Sequence, residues 1–324
     1  RPQGVPESQV KKVAVIGAGL MGAGIAYVQA KAGVETVLID VSMENAEKGK
    51  DYSRKIVDKD VGRGKTTKEK GDALLALIKP STDYNDIKGA DLVIEAVFEN
   101  PALKAEITKK AEAVLGENAV MGSNTSTLPI TGLAEASVRP KNFIGIHFFS
   151  PVERMGLVEL IRGKETTDET VAKAIDYVLK IKKTPIIVND FRGFYTSRCF
   201  GTYPAEGVEM LMEGIAPAII ENVGRQCGMP MGPLEVSDSV GLDTALKIGK
   251  TNAELSQQDY KKDPRANLLS WIVEEKGRVG RKGAKGYYEY GEDGKPTRIW
   301  PGIAEKIAVR SEERRVGKEC RSRW

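Results

Sequence analysis

Residues 13–30 read VAVIGAGLMGAGIAYVQA, and this stretch decides the fold. The apolar run at its start predicts a strand, and Gly17, Gly19 and Gly22 then satisfy the spacing G-x-G-x-x-G. The first glycine permits a tight turn, the second lets a pyrophosphate approach the backbone, and the third allows close packing of helix on strand. Between a strand and a helix, this spacing predicts a dinucleotide-binding turn with the phosphates at the helix N-terminus. The stretch carries no charge before Lys31, but its glycines favour this interpretation over a membrane span.

An acidic residue at the end of the next predicted strand indicates which dinucleotide binds. Asp40 ends the run TVLID, 23 residues after Gly17. A carboxylate at this position accepts hydrogen bonds from the adenosine ribose hydroxyls and repels the 2′-phosphate of NADP. The next residues, Val41 and Ser42, supply no arginine for that phosphate. We therefore predict NAD as the cofactor. The alternatives are FAD and a purely structural role of the glycines.

The rest of the chain indicates two domains of different type. With 324 residues, the chain is about twice as long as a common single domain. Predicted strands alternate with predicted helices up to residue 188, which is typical of a parallel sheet covered by helices. After residue 189 helices dominate, so we predict a Rossmann-type doubly wound α/β domain over 1–189 and an all-α substrate or dimerisation domain over 190–309. The predicted strands are 13–16, 35–39, 91–96, 119–123, 142–149, 157–162 and 185–188, and the predicted helical stretches are 22–32, 43–78, 102–115, 167–181, 194–214, 216–228 and 244–250.

Charge and cysteine usage narrow the function classes. The formal net charge is +4, and most of it lies in 310–324, which we predict to be a solvated tail or non-native sequence. The nearly neutral remainder gives no case for a nucleic-acid partner. Cys199, Cys227 and Cys320 form no C-x-x-C pair, and a single histidine excludes a multi-histidine metal site. This cysteine usage and a polar start without a signal peptide predict a cytoplasmic protein without a membrane span.

The one histidine and a glutamate twelve residues later form the candidate catalytic pair. His147 lies in the strand-like run NFIGIHFF, and histidine is the side chain that most readily exchanges a proton near neutral pH. Glu159 lies in LVELI, where a carboxylate without a partner would be costly to bury. Pairing the two groups removes that cost, fixes the imidazole tautomer and makes His147 a competent general base. The alternative is a structural histidine and an unrelated surface glutamate.

A serine after the predicted strand AVMGS is the candidate substrate contact. Ser126 lies in SNTSTL, at the carboxyl end of that strand, where open α/β sheets bind their ligands. Its hydroxyl is suited to hold a substrate oxygen, whereas the alternative is a simple turn or cap serine. A hydrolase triad of Ser126, His147 and Glu159 is a rival interpretation, although Ser126 lacks a G-x-S-x-G elbow. A non-catalytic NAD-binding or scaffold protein is the second rival.

Seven motifs taken together resemble one known family. In chain order they are VAVIGAGLMGAGIA, DLVIEAVFEN, SNTSTLPIT, HFFSPVERMGLVELI, GFYTSRC, GMPMGP and KGYYEY, within residues 10–290. In this order they are highly specific. The chain resembles the 3-hydroxyacyl-CoA dehydrogenases, in particular the dehydrogenase part of the multifunctional fatty-acid β-oxidation enzymes. The resemblance implies NAD-dependent oxidation of (S)-3-hydroxyacyl-CoA to 3-oxoacyl-CoA, with an acyl-CoA substrate.

The resemblance also implies a role for individual residues. His147 matches the catalytic base, Glu159 its orienting partner, and Ser126 the serine that contacts substrate and nicotinamide. Ser150 and Ser197 stand where the family often has asparagine, at a cofactor and a substrate position respectively, so an amide is shortened to a hydroxyl at both. The further positions that match the family's NAD contacts are Met21, Asp40, Val97, Glu99 and Lys104.

The family pattern also implies what surrounds this unit. Multifunctional members usually carry an N-terminal enoyl-CoA hydratase region and a second C-terminal helical repeat, and this sequence contains neither. We therefore expect an excised or incomplete dehydrogenase unit. A homodimer and a larger β-oxidation complex, formed through the parent protein, both stay open.

Overall fold

The structure is a computed structural model that describes residues 1–255, 257 and 259–308. The chain divides into two compact units, Arg1–Ser197 and a second unit that begins at Arg198. Each unit is described by itself. The predicted basic tail 310–324 lies outside the described residues, and the predicted domain boundary after residue 189 stays a prediction.

The first unit is built on one eight-stranded sheet. Its spatial order is β3-β2-β1-β4-β5-β6-β7-β8, so the chain moves outward from β1 in one direction and then returns to β4 to continue in the other. This reversal creates the crevice at which open α/β sheets bind ligands. All neighbouring strands are parallel except β6 and β7, so the prediction of a parallel sheet is wrong for this one pair. The strands are β1 Lys12–Ile16, β2 Glu35–Ile39, β3 Ile78–Ser81, β4 Leu92–Glu95, β5 Val120–Ser123, β6 Phe143–Phe148, β7 Leu157–Arg162 and β8 Thr184–Asn189.

Helices cover this sheet on both faces. Alternate residues of β1 belong to two separate apolar clusters, with Val13 and Val15 in one and Ala14 and Ile16 in the other. A strand that is buried on both faces explains why the run reads as continuously apolar rather than alternating. The helices of this unit are α1 Leu20–Lys31, α2 Met43–Gly62, α3 Lys68–Ala76, α4 Pro101–Glu112, α5 Ile130–Ala134 and α6 Asp168–Lys180.

The lysine-rich stretch that was predicted to be helical over 43–78 is interrupted. Helix α2 ends at Gly62, and α3 begins after Thr67, whose hydroxyl accepts the N–H of Lys70. Strand β3 then starts at Ile78 and pairs with β2, so a strand was missed. Pro80 argues against a strand here, because proline cannot donate a hydrogen bond to a neighbouring strand. Strand β3 lies at the edge of the sheet, where proline is tolerated.

The second unit is mainly helical and carries a small antiparallel sheet in addition to the predicted helices. Two buried carboxylates attach this sheet: Asp238 accepts the N–H groups of Tyr287 and Tyr288 at 2.7 and 2.9 Å, and Glu221 accepts the Tyr288 hydroxyl at 2.7 Å. Burial raises the pKa of Asp238 to about 6. Helix α9 lies between the predicted helices 216–228 and 244–250, and it starts at Pro233, a residue well suited to a first helical turn. The elements are α7 Thr196–Met212, α8 Pro217–Gln226, α9 Pro233–Val240, α10 Leu242–Leu255, α11 Pro264–Ser270, β9 Tyr288–Tyr290 and β10 Pro296–Ile299. The first of these helices, α7, begins two residues before Arg198.

The apolar stretch considered above as a membrane span forms β1, the glycine turn and α1. Over the described ranges, no helix is both long enough and apolar enough to cross a bilayer.

Candidate active site

The glycine turn after β1 has the shape that a dinucleotide requires. Gly17 has a φ of +100°, and a Cβ there would lie 2.7 Å from the Ala96 carbonyl oxygen. A Cβ on Gly22 would lie 1.7 Å from the Gly17 carbonyl oxygen, so α1 starts in direct contact with the turn. A Cβ on Gly19 would meet no protein atom within 4 Å, which leaves this part of the backbone open to a ligand. The turn therefore fits the pyrophosphate of a dinucleotide.

The other predicted NAD contacts lie around the same crevice. Asp40 follows β2, and its Oδ2 accepts the N–H of Ala18 at 2.7 Å, so the carboxylate is tied to the glycine turn. Met21 lies partly buried in the first turn of α1. Val97 follows β4, and its N–H donates to Oε1 of Glu95 at 2.9 Å. These residues share the carboxyl edge of the sheet, and their contacts with NAD stay predictions.

Lys104 is buried between two carboxylates. Its Nζ lies 2.7 Å from Oε1 of Glu95 and 3.2 Å from Oε2 of Glu99, and its side chain is only 2% exposed. Glu95 is equally buried and also accepts the Ser123 hydroxyl at 2.8 Å. Removing one partner of such a group would leave an unpaired buried charge, which is strongly destabilising. Lys104 therefore holds the first turn of α4 against the end of β4, and its predicted contact with NAD stays a prediction.

Glu99 organises the loop that carries Ser126. Its Oε1 accepts hydrogen bonds from the Thr125 hydroxyl at 2.6 Å and from the N–H of Ser126 at 3.0 Å. Burial alone raises the pKa of Glu99, but the Thr125 hydrogen bond and the charge of Lys104 outweigh it and lower the pKa. The carboxylate is thus ionised at neutral pH and keeps Ser126 at the end of β5.

Strands β6 and β7 place the candidate base and its partner opposite each other. They run antiparallel, and His147 pairs in register with Glu159. His147 Nδ1 lies 2.7 Å from Oε2 of Glu159, so the predicted contact between the two side chains is present. Glu159 is fully buried and His147 is 6% exposed, which shields the pair from competing water.

The surroundings of Glu159 determine which imidazole nitrogen carries the proton. Its second oxygen, Oε1, accepts the N–H groups of Tyr195 and Thr196 at 3.1 and 2.8 Å. Burial alone raises the pKa of Glu159, but the hydrogen bonds from His147 and from the Thr196 N–H outweigh burial and lower the pKa. An ionised carboxylate only accepts hydrogen bonds, so Nδ1 of His147 carries a hydrogen. Nε2 of the neutral ring then keeps a lone pair, as a general base requires.

Within the described part of the chain, no hydrogen bond joins three predicted site residues, Ser126, Ser150 and Ser197, to this pair. Among the described residues, the Ser126 hydroxyl has Glu99 as its hydrogen-bond partner, at 3.4 Å, and His147 is not one of its partners. The hydrolase triad is therefore not assembled. Ser150 and Ser197 are both exposed. Ser150 lies two residues after the end of β6, and Ser197 lies in the first turn of α7.

Sequence reasoning missed two polar residues that hold the site together. Glu95 is a carboxylate inside the apolar run DLVIEAV, which is the same signal that singled out Glu159. Asn124 accepts the N–H of Phe148 through Oδ1 at 2.9 Å and so links the end of β6 to the loop that carries Ser126. Asparagine after a strand is common. Asn124 lies in the motif SNTSTLPIT, but the motif did not indicate a role for this residue.

Comparison with protein families agrees with this geometry. A model of the 3-hydroxyacyl-CoA dehydrogenase NAD binding domain matches residues 12–191, and a model of the C-terminal domain of the same dehydrogenases matches residues 193–290. The chain belongs to the 3-hydroxyacyl-CoA dehydrogenase family. NAD is accordingly the cofactor of this dehydrogenase chain, which confirms the prediction from the glycine turn and Asp40.

Relatives of this dehydrogenase chain include subunits of larger assemblies. It is 41% identical over 293 residues to the fatty acid oxidation complex subunit alpha of Idiomarina loihiensis. This match covers 90% of this chain and 40% of that protein. The corresponding subunit of Shewanella baltica is 37% identical, with 98% of this chain and 45% of that protein covered. The chain thus spans less than half the length of these relatives.

Solved structures show the same fold over nearly the whole dehydrogenase chain. The (S)-3-hydroxybutyryl-CoA dehydrogenase of Ralstonia eutropha matches with a TM-score of 0.80 and 37% identity, covering 88% of this chain and 100% of that one. The 3-hydroxybutyryl-CoA dehydrogenase of Escherichia coli K12 matches with a TM-score of 0.81 and 33% identity, covering 87% and 60%. The Rossmann-type sheet followed by a helical unit is thereby confirmed as the fold class.

Proposed function

We propose that the chain catalyses the NAD-dependent oxidation of (S)-3-hydroxyacyl-CoA to 3-oxoacyl-CoA in fatty-acid β-oxidation. The observation that carries this proposal is the buried contact of 2.7 Å between His147 and Glu159 in a fold that binds NAD. It supplies a base with a defined tautomer at the carboxyl edge of the sheet, which is where open α/β folds place their substrates.

In this mechanism His147 receives the proton of the substrate hydroxyl on Nε2. When bound, NAD⁺ would supply the acceptor for the hydride that leaves C3 of the substrate. Glu159 holds Nδ1–H throughout and stabilises the imidazolium that forms, because its carboxylate is buried and ionised. In the reverse direction, protonated His147 donates a hydrogen bond to the keto oxygen and then returns the proton. The balanced reaction is (S)-3-hydroxyacyl-CoA + NAD⁺ to 3-oxoacyl-CoA + NADH + H⁺.

The serine loop supplies orientation rather than proton transfer. The Ser126 hydroxyl donates a long hydrogen bond of 3.4 Å to Oε1 of Glu99. A substrate oxygen can replace Glu99 as the partner of this hydroxyl. We assign Ser126 to the substrate 3-oxygen and the nicotinamide side of the site. Ser197 is assigned to the substrate and Ser150 to the cofactor, each through a hydroxyl shorter than an amide. Holding reacting groups in register is a large part of catalysis by such enzymes.

The test follows NADH absorbance with acetoacetyl-CoA and, in parallel, with a long-chain 3-oxoacyl-CoA. We expect NADH oxidation that depends on the acyl-CoA, with no thioester hydrolysis in the absence of nucleotide. Nucleotide-independent hydrolysis would support the hydrolase interpretation instead. NADH binding without any acyl-CoA-dependent oxidation would support a non-catalytic NAD-binding protein.

For the assembly of this unit we infer a homodimer through the second unit. Helix α7 has 17 residues, of which only Gly207 and Leu211 are buried. Phe200 on α7 and Ile219 and Val223 on α8 are 43%, 36% and 44% exposed. Exposed apolar side chains on neighbouring helices are typical of a surface that a partner covers. The names of the longer relatives support a larger assembly as the other candidate.

Sedimentation velocity tests this inference. We expect the chain to sediment as a dimer, and Val223→Asp to shift it to the monomer, because an interfacial carboxylate without a partner opposes association. Val138→Asp is the matched control, since Val138 is 76% exposed in the first unit and should leave the dimer intact. A wild-type monomer at high protein concentration would contradict the homodimer.

A further inference from the structure

A strained residue lies between β8 and α7. Phe194 has a φ of +47°, in the left-handed region, and its side chain is only 2% exposed. A bulky residue in that region is a true outlier, because its Cβ crowds the backbone. Such strain persists only where the surroundings hold it, and it concentrates at functional sites. The conformation of Phe194 therefore calls for a role that a relaxed backbone would not fulfil.

The ring of Phe194 lies beside the imidazole of His147. The two ring centroids are 5.9 Å apart, with the planes tilted by 60°. Phe149 contacts the same imidazole, with centroids 4.5 Å apart and a tilt of 50°. Tilted aromatic pairs at these distances are attractive, and close packing restricts a side chain to one rotamer. The imidazole is therefore held by two rings as well as by Glu159.

The backbone that follows Phe194 binds the partner of the base. The N–H groups of Tyr195 and Thr196 both donate to Oε1 of Glu159, at 3.1 and 2.8 Å. Consecutive N–H groups converge on one anion when the backbone adopts a left-handed turn conformation, as in anion-binding nests. The conformation of Phe194 thus does two things together: it turns the ring to His147 and the next two amides to Glu159.

We propose that Phe194 is a positioning residue of the catalytic pair. Its ring fixes the orientation of His147, and its left-handed backbone directs the N–H groups of Tyr195 and Thr196 to Glu159. Both partners of the 2.7 Å contact are then aligned by one residue, through its ring and through its backbone conformation. The proposal rests on the proposed function, in which His147 is the base, and deepens it.

The kinetic test compares Phe194→Leu with Phe143→Leu. Phe143 is a matched control, because it is a fully buried ring of the same apolar cluster, on the strand that carries His147. We expect kcat for acetoacetyl-CoA reduction to fall at least about 10-fold further in Phe194→Leu, since small displacements of a catalytic group are costly. The Kd for NADH, measured by fluorescence, and the Tm should stay similar in the two variants. Equal kcat values in the two variants would overturn the proposal.

A spectroscopic readout separates this proposal from the proposed function. His147 is the only histidine of the chain, so in untagged protein labelled with ¹⁵N-histidine its two ring nitrogens are assigned without ambiguity. At alkaline pH we expect the wild type and Phe143→Leu to show one tautomer, with the hydrogen on Nδ1, and Phe194→Leu to show a mixture of tautomers. Identical spectra in all three proteins would reject the positioning role. Absence of turnover in the wild type would reject the proposed function and leave this comparison decisive.

Discussion

His147→Gln is expected to lower kcat for acetoacetyl-CoA reduction by at least about 10²–10⁴-fold, the usual contribution of a general acid or base. The reason is that glutamine offers no nitrogen that takes up and releases a proton near neutral pH. Its amide N–H₂ can still donate to Glu159, so the buried carboxylate keeps a partner and the fold survives. Single-turnover and steady-state measurements of NADH oxidation give the loss in kcat.

The internal control for this variant is cofactor binding. The glycine turn and Asp40 lie at β1 and β2, whereas His147 lies on β6, so the Kd for NADH should change by less than about twofold. Turnover within about tenfold of the wild type would remove His147 from the mechanism. A loss of NADH binding in parallel with kcat would point to a damaged fold instead, which the Tm of the same sample identifies.

Alanine at two neighbouring glycines is expected to separate cofactor binding from folding. Gly19→Ala adds a Cβ that meets no protein atom within 4 Å, at a backbone φ of −64° that alanine adopts freely. We expect the Tm without cofactor to be nearly unchanged, within about 0.5 kcal/mol of stability. NADH affinity should fall at least about 10-fold, because the methyl group occupies the approach of the pyrophosphate.

Gly22→Ala should fail in a different way. Its Cβ would lie 1.7 Å from the carbonyl oxygen of Gly17, so the helix and the turn must move apart. Overpacking of this kind costs about 1–3 kcal/mol or more, and we expect a lower Tm together with lost NADH binding. Gly132→Ala on α5 is the control, since its Cβ also meets nothing within 4 Å and it lies away from the glycine turn. Normal NADH affinity in Gly19→Ala would contradict the proposed position of the pyrophosphate.

The sequence predicted the catalytic pair but not the strand pairing that joins its two residues. A carboxylate within the apolar run LVELI indicated a buried partner, and one histidine in the chain left few candidates for it. The strand pairing that joins them was not predicted correctly. Strand alternation suggested a parallel sheet, whereas β7 runs antiparallel to β6, and only this direction sets Glu159 across from His147 in register. Periodicity does not record strand direction. The short connection between β6 and β7 does, because parallel neighbours need a crossover of about a dozen residues or more.

The network around Lys104 shows the opposite limit. The family resemblance marked Glu99 and Lys104 as NAD contacts, and the structure shows both engaged with protein groups. Glu95 carries the same sequence signal as Glu159, yet nothing in its own apolar run indicates its partner. A lysine nine residues away reaches it only because α4 folds back along β4. The sequence likewise does not predict the strained backbone at Phe194, because a phenylalanine after a glycine is common and indicates no particular conformation.

The sequence alone determined the glycine turn, the cofactor class and the alternation of strands and helices. These depend on residues within one or two elements, where backbone freedom, helix N-termini and apolar runs act locally. Tertiary structure alone decided the burial of Lys104 between two carboxylates and the left-handed turn at Phe194. Each of these balances a cost, a buried charge or a strained φ, against contacts from residues far away in the chain. Their free energies exist only once the sheet has formed.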